Sequence, residues 1–229
     1  MADSPRERYR TQVRAEIKER AWEQIATAGA SALSLNAIAK RMGMSGPALY
    51  RYFAGRDELI TELIGDAYRS LADAFHATAA EAADGTGGGA DPGRADDSDG
   101  AAAAALAHTL RRWALEDPHR YLLLYGTPVP GYHAPDDITA IAAEIMAVLL
   151  DACATLPHGT PEGPFDAHLE EHRLWAGGHP APAPVLHRAL TFWTRLHGLL
   201  SLEVAGQFTG MGFDPGLLFA AEVDALLAG

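Results

Sequence analysis

The chain of 229 residues contains one cysteine, Cys153. A lone thiol closes no internal disulfide, so the fold cannot lean on covalent cross-links, and a reducing, cytoplasmic compartment is expected. Long apolar runs are missing as well: nothing approaches the roughly 18–20 consecutive apolar residues of a membrane span. The opening "MADSPRERYR" is charged and lacks the apolar centre of a secretory signal. No stretch alternates apolar and polar residues in the manner of a half-buried strand. Positive charge is scarce, with 18 Lys and Arg against 30 Asp and Glu, a net charge of −12. Taken alone, that scarcity argues against a nucleic-acid partner. Apolar residues are plentiful at 48%, ample for a packed core.

The distribution of charge reverses the first impression. Residues 1–56 hold ten Lys and Arg against five Asp and Glu, a net of +5, whereas residues 57–229 hold eight against twenty-five, a net of −17. A basic tip on an acidic body can bind phosphate while the body is repelled from the same polyanion. The two parts are expected as an N-terminal domain at 1–56 and a larger C-terminal domain at 57–229.

Apolar spacing predicts an all-α chain of about nine helices. Val13, Ile17, Ala21, Ile25 and Ala28 recur every three or four residues on a first helix running from about Tyr9, and Gly29 supplies its stop. Ser34 caps a short helix from about Leu35 to Met42, with Ile38 and Met42 facing inward. A long helix spans about Arg56 to Ala83. Residues 84–100, "DGTGGGADPGRADDSDG", hold six Gly and five Asp and are expected as a disordered linker. The formal G-x-G-x-x-A at Gly85, Gly87 and Ala90 lacks the strand before it and the helix start after it that a dinucleotide site needs, so no cofactor is assigned. Helices resume over Ala101–Glu116, Pro118–Tyr125, Asp136–Leu156, Phe165–Trp175, Val185–Phe208 and Leu217–Leu227.

The segment 35–53 has the shape of a helix-turn-helix. Ala39 is small where two helices cross, Gly43 suits the turn by accepting positive φ, and Leu49 packs the second helix on the first. Ser45 stands as N-cap of that second helix, and Gly46 and Pro47 fall in its first turn, where no N–H is needed and proline presets φ. The Gly-Pro pair therefore starts a helix rather than breaking one.

"SLNAIAKRMGMSGPALYRYFAGRDELITEL", residues 34–63, resembles the DNA-binding module of the TetR family of transcriptional regulators, and the likeness extends over about residues 9–70. Its most specific element is the pattern of Leu49, Tyr50, Tyr52, Phe53, Arg56, Asp57 and Leu59. Family members commonly carry lysine where Arg56 stands. "WTRLHGLLSLEVAGQF", residues 193–208, is similar to a C-terminal type in the same family with a His-Gly pair in the penultimate helix.

The resemblance and the chemistry agree on the face that meets double-stranded operator DNA. Ser45, Gly46 and Ala48 let the tip of the recognition helix approach base edges, and Tyr50 and Tyr52 offer hydroxyls to phosphate. Arg51 reaches a base or the backbone, Arg56 meets phosphate at the N-terminus of the next helix, and Ser34 and Asn36 are further contacts. Arg6, Arg8 and Arg10 form a basic N-terminal arm. Leu49 and Phe53 are assigned to the core.

For the body, the resemblance implies a homodimer and a small-molecule effector. Helices 185–208 and 215–227 carry Leu186, Leu190, Trp193, His197, Leu200 and Val204, with Leu218, Phe219, Val223 and Leu226, and form the expected interface. A helix buried within one subunit has the same pattern. A symmetric dimer sets half-sites roughly 34–36 Å apart, or a multiple of that. Trp113, Tyr121, Tyr125, Met146, Phe192, Trp193 and His197 combine apolar walls with polar tips and are the effector candidates.

Two other readings stand beside the ligand-responsive repressor. "HLEEH", with His168, Glu171 and His172, matches the H-x-x-E-H signature of a zinc peptidase, although prolines crowd it on both sides. A helical ligand-binding protein without DNA binding is the other. Neither catalytic residues nor a metal site are assigned.

Overall fold

A computed structural model describes residues 4–86, 100–129, 132, 135–158, 160 and 163–228. Among these, the regular structure is entirely helical: ten α-helices and short 3₁₀ turns, with no strand. The linker expected at 84–100 lies largely outside the described residues, which resume at Gly100 after a gap at 87–99. The preceding helix runs through Thr86, past the stop expected at Ala83.

The chain divides into two compact units. The first comprises Met1–Ala67 with His119–Ile138, the second Tyr68–Pro118 with Thr139–Gly229.

The first unit opens with α1 (Pro5–Ala28), which begins four residues before the expected Tyr9. Ser4 Oγ accepts from the Glu7 amide at 3.2 Å while Glu7 Oε2 accepts from the Ser4 amide at 2.7 Å. This reciprocal capping box, with Pro5 at the first helical position, holds two turns that bury nothing. The same bonds hold the Glu7 carboxyl below its ordinary pKa. Arg6, Arg8 and Arg10 thus stand on a helix, not on an arm. Burial starts at Val13 and repeats through Ile17, Ala21 and Ile25, while Ala28 is exposed. Gly29, at φ 79°, ends the helix with its amide bonded to the Ile25 carbonyl at 2.9 Å.

A 3₁₀ turn (Ala30–Ala32) leads into α2 (Leu35–Arg41), α3 (Gly46–Leu49) and the start of α4 (Arg56–Thr86). Ile38, Ala39, Leu49, Phe53, Leu59, Ile60 and Leu63 are buried and clamp these short elements together. Met42 is only half-buried, because it caps α2 instead of packing under it. α6 (Pro118–Tyr125) joins this unit through His119 and the residues that follow.

One side chain organises the region. The Arg14 guanidinium donates to the Tyr52 carbonyl and to Glu62, lies 3.9 Å from Glu58, and sits over the Phe53 ring at 4.1 Å. It therefore joins α1, the turn after α3, and α4 in one contact set. Lys18, one turn on, pairs with Asp66 at 2.6 Å and approaches Glu62 at 3.8 Å. Arg14 and Lys18 on α1 meet Glu58, Glu62 and Asp66 on α4 as two complementary ladders at four-residue spacing.

The second unit packs α5 (Ala101–Glu116), α9 (Ala183–Val204) and α10 (Pro215–Ala228) against one another, with α8 (Pro164–Glu171) on α9. α7 (Asp136–Ala154) supplies Ile145, Val148, Leu149 and Cys153 to its core. The short helix expected over 165–175 stops at Glu171, and a 3₁₀ turn (Leu174–Ala176) follows. Arg173 explains the break: its Nη2 is drawn to the carbonyls of His179 at 2.9 Å and Ala181 at 2.5 Å. Arg111 forks onto Glu203 at 3.1 and 2.6 Å, tying α5 to the end of α9.

Replacing Arg14 by methionine keeps the stem and removes the fork. We expect a loss of about 2 kcal/mol in urea unfolding, the scale of a broken charge-assisted network. Glu58→Gln, at longer range and greater exposure, is expected to cost less than about 1 kcal/mol in the same assay.

Candidate nucleic-acid interface

The recognition helix is a single turn. Ser45 has the extended backbone of an N-cap, but its hydroxyl makes no capping bond. The turn is closed by backbone alone, with the Ala48 amide on the Ser45 carbonyl at 2.9 Å. Beyond Leu49 the chain tightens: the Tyr52 amide reaches the Leu49 carbonyl at 2.8 Å, so the apolar spacing continues while the α-helix does not. The cause is the engagement of Arg14 with the Tyr52 carbonyl and the Phe53 ring, which draws this stretch inward.

The turn before it depends on Gly43 at φ 66°, a left-handed conformation that disfavours other residues. Gly46 has a different reason: a Cβ there would lie 3.3 Å from Asn36 Oδ1. The small residue lets the two motif helices close with the Asn36 amide between them. Ser34 caps α2, its hydroxyl accepting from the Ala37 amide at 3.4 Å. Gln24 on α1 fixes Ser34 in turn, accepting from its amide at 2.9 Å and donating to its carbonyl at 3.5 Å.

These bonds leave Tyr50 48% exposed, with Asn36, Ser45, Pro47 and Arg51 also exposed and Ser34, Gly46, Ala48 and Tyr52 half-buried. Leu49 and Phe53 are fully buried. Arg56 is committed: its Nη2 donates to the carbonyls of Ala30 at 3.0 Å and Ser31 at 3.4 Å, stapling the 3₁₀ turn after α1 to the start of α4.

The ten cations of residues 1–56 therefore fall into two sets. Arg14, Lys18, Arg20 and Arg41 form ion pairs with carboxylates, and Arg56 holds backbone carbonyls. Among the described residues, Arg6, Arg8, Arg10, Lys40 and Arg51 are exposed and have no such partner. Sequence reasoning missed Lys40 as a free cation, and it missed Arg14 and Gln24 as supports of the reading face. The matched spacing of Arg14 and Lys18 to Glu58, Glu62 and Asp66 was the available signal.

The seven effector candidates are drawn from both units. Tyr121 and Tyr125 belong to the first unit, their rings 5.3 Å apart on α6. Trp113, Met146, Phe192, Trp193 and His197 belong to the second. There the indole of Trp113 donates to Ser70 Oγ at 3.1 Å, and Phe192 is 1% exposed. Trp193 and His197 lie one turn apart on α9, their rings 4.2 Å apart. Burial pushes His197 down to about 4 from 6.5.

Several residues of the expected dimer stripe are spent inside the chain. Leu186, Leu200, Phe219, Val223 and Leu226 are buried in the second unit. Leu202, Leu217 and Leu218 stay exposed on the same two helices.

His168 and His172 stack at 3.9 Å between ring centroids, and the His172 ring bonds the His168 carbonyl. Among the described residues no three His, Cys, Asp or Glu side chains gather as metal ligands, and no helix is long and apolar enough to cross a membrane. Cys153 has a cationic neighbour, Arg188, which the sequence had not suggested, yet burial still pushes its thiol up to about 12.

His197 gives a pH prediction. Folded, it refuses a proton that the unfolded chain accepts below about 6.5, so its contribution is intact above that pH and is lost as pH falls towards 4. Unfolding free energies of the wild type and His197→Gln should diverge by up to about 3 kcal/mol across that window and run parallel above it.

Residues 17–63 match the family model "Bacterial regulatory proteins, tetR family", and residues 103–226 match "Tetracyclin repressor-like, C-terminal domain". The chain is 38% identical to the HTH-type transcriptional regulators Rv1816 of Mycobacterium tuberculosis and Mb1846 of Mycobacterium bovis, across 96% of this chain and 92% of each relative. The crystal structure of SCO4313 is 67% identical with a TM-score of 0.83, covering 99% of this chain and all of that one. PfmR of Thermus thermophilus, a TetR family transcriptional regulator, is 17% identical over 93% of this chain and 97% of its own. Its TM-score of 0.56 bears on the fold alone. With one family model on its reading head and another across more than half its length, this chain belongs to the TetR family of transcriptional regulators.

Proposed function

We propose that the protein is a homodimeric repressor that binds a palindromic operator and is released from it by a small molecule. The observation that carries this is the sorting of charge. Among the described residues of the unit holding the helix-turn-helix, the exposed cations without partners are Arg6, Arg8, Arg10, Lys40 and Arg51, the last of them next to the exposed Tyr50. Phosphate is the natural partner of such a set.

Residues 1–56 carry DNA binding and residues 57–229 carry dimerisation and the response to ligand. Ala48, Gly46 and Ser45 allow close approach to base edges, and Asn36 and Tyr50 supply hydrogen bonds there. Ser34, Arg51 and Tyr52 serve the sugar–phosphate backbone. Arg56, with Nη2 anchored on Ala30 and Ser31 and Nη1 3.8 Å from Asp57, also offers its charge to a phosphate at the first turn of α4. The dimer forms through α9 and α10, where Leu202, Leu217 and Leu218 remain uncovered. The protein works in the cytoplasm, by binding rather than catalysis.

Fluorescence anisotropy on DNA from the protein's own upstream region tests this. Tyr50→Phe should weaken operator binding by roughly five-fold, the worth of one hydrogen bond near 1 kcal/mol, with no change in melting temperature. Arg56→Ala should weaken operator and random DNA alike and also lower the melting temperature, because the same side chain supports the fold. A wild type that binds neither operator nor random genomic DNA at low salt would favour a ligand-binding protein without DNA binding.

A further inference from the structure

The first unit contains a half-open cavity of about 480 Å³ between the end of α1 and α6. Ile25, Leu122, Leu123 and Val129 form its apolar wall, and Ser31 and His119 place hydrogen-bonding groups at its edge. Among the described residues that line it, none is Lys, Arg, Asp or Glu. Leu122 is 36% exposed, a large apolar side chain left open to solvent at this cavity. The volume falls within the range of small-ligand sites, and it is too small for a partner helix. None of the seven effector residues expected from the sequence lines it.

Ala30 and Ser31 belong both to this cavity and to the recognition machinery. Their carbonyls hold Arg56, the first residue of α4, three positions beyond the buried Phe53 that anchors the recognition turn. A molecule seated against this 3₁₀ turn therefore presses on the segment to which Arg56 is tied. Gly29, at φ 79° with open space around it, gives the turn a ready hinge at its start.

We propose that this cavity is a binding site for a small, uncharged, largely apolar molecule with one hydrogen-bonding group, and that its occupation weakens DNA binding through the Arg56 staple. The inference rests on the reading of the chain as a ligand-released DNA-binding protein and names where and how one such ligand acts. The uncharged wall selects a neutral ligand, because an ion would leave water without a counter-charge. Ser31 and His119 orient its polar end. The apolar body covers Leu122 and Leu123. Contact with Ala30 and Ser31 then favours a turn geometry in which the two carbonyls no longer converge on Arg56, and differential affinity for the two geometries is what shifts DNA binding.

The test uses the full chain and the neutral fluorophore N-phenyl-1-naphthylamine, which has an apolar body and one N–H. Its fluorescence should rise saturably on the wild type, with one site per chain. Leu122→Arg and Ser31→Phe, both at exposed positions, should each weaken that binding by about ten-fold or more while leaving the melting temperature unchanged. Saturating fluorophore should weaken binding to upstream DNA by about five-fold or more in the wild type. In Arg56→Gln the fluorophore should bind as before, while the ratio of DNA affinities with and without it falls towards one. Absence of saturable binding, binding indifferent to both wall variants, or DNA affinity unmoved by saturating fluorophore would each overturn the proposal. Failure of the wild type to bind any DNA would sink the regulator reading along with it, whereas intact DNA binding that ignores the fluorophore would sink this inference alone.

Discussion

The reading head depends on the guanidinium of Arg14. A recognition helix of one turn cannot hold itself: four residues form too few intrahelical bonds to offset the cost of nucleation. Its geometry is imposed from beneath. Arg14 engages the Tyr52 carbonyl, covers the Phe53 ring and reaches Glu62, so one side chain fixes the exit of α3 relative to α1 and α4. Gln24 does the same for the entry to α2 through Ser34, and Arg56 for the 3₁₀ turn after α1 through Ala30 and Ser31. Planar forks suit this task, because several donors act at once from a single anchored stem. The exposed tyrosine and arginine of the face are positioned by residues that are not themselves on it.

A second consequence is electrostatic. In the function proposed above, a chain of net charge −12 meets a polyanion through a small set of uncompensated cations. Half of the basic residues in 1–56 neutralise carboxylates or hold carbonyls, and their work is structural, with Arg56 proposed to serve a phosphate as well. The rest stand on the first turns of α1, on α2 and just beyond α3. Few contacts on an acidic body give weak attachment to arbitrary DNA, which leaves more of the discrimination to contacts at base edges.

Much of this was legible in the sequence, for identifiable reasons. The all-α class followed from three- and four-residue apolar spacing, and Gly46-Pro47 read correctly as a helix start because the first turn needs no N–H donors. The start of α1 was missed because its first two turns bury nothing; the capping box of Ser4 and Glu7 was the signal, and apolar periodicity is blind to it. The end of α3 was missed for the opposite reason. Leu49 and Phe53 keep helical spacing, but Phe53 packs from a turn held by an arginine 39 positions away. Long-range partners of that kind are also why the anchoring of Arg56 on Ala30 and Ser31 and the cationic neighbour of Cys153 went unread. In the body, spacing identified the apolar helices but could not say which faces are consumed internally: Leu186, Leu200 and Phe219 are buried by their own chain.

The division of the basic residues into structural and DNA-facing sets is the central claim, and the salt dependence of DNA affinity measures it directly. Anisotropy titrations over a range of salt concentrations give the slope of log affinity against log salt for the wild type, for Lys40→Ala with Arg51→Ala, and for Arg20→Ala with Arg41→Ala. The account predicts that the first pair lowers the slope by about two and the second leaves it unchanged. Equal losses of slope from the two pairs would contradict it.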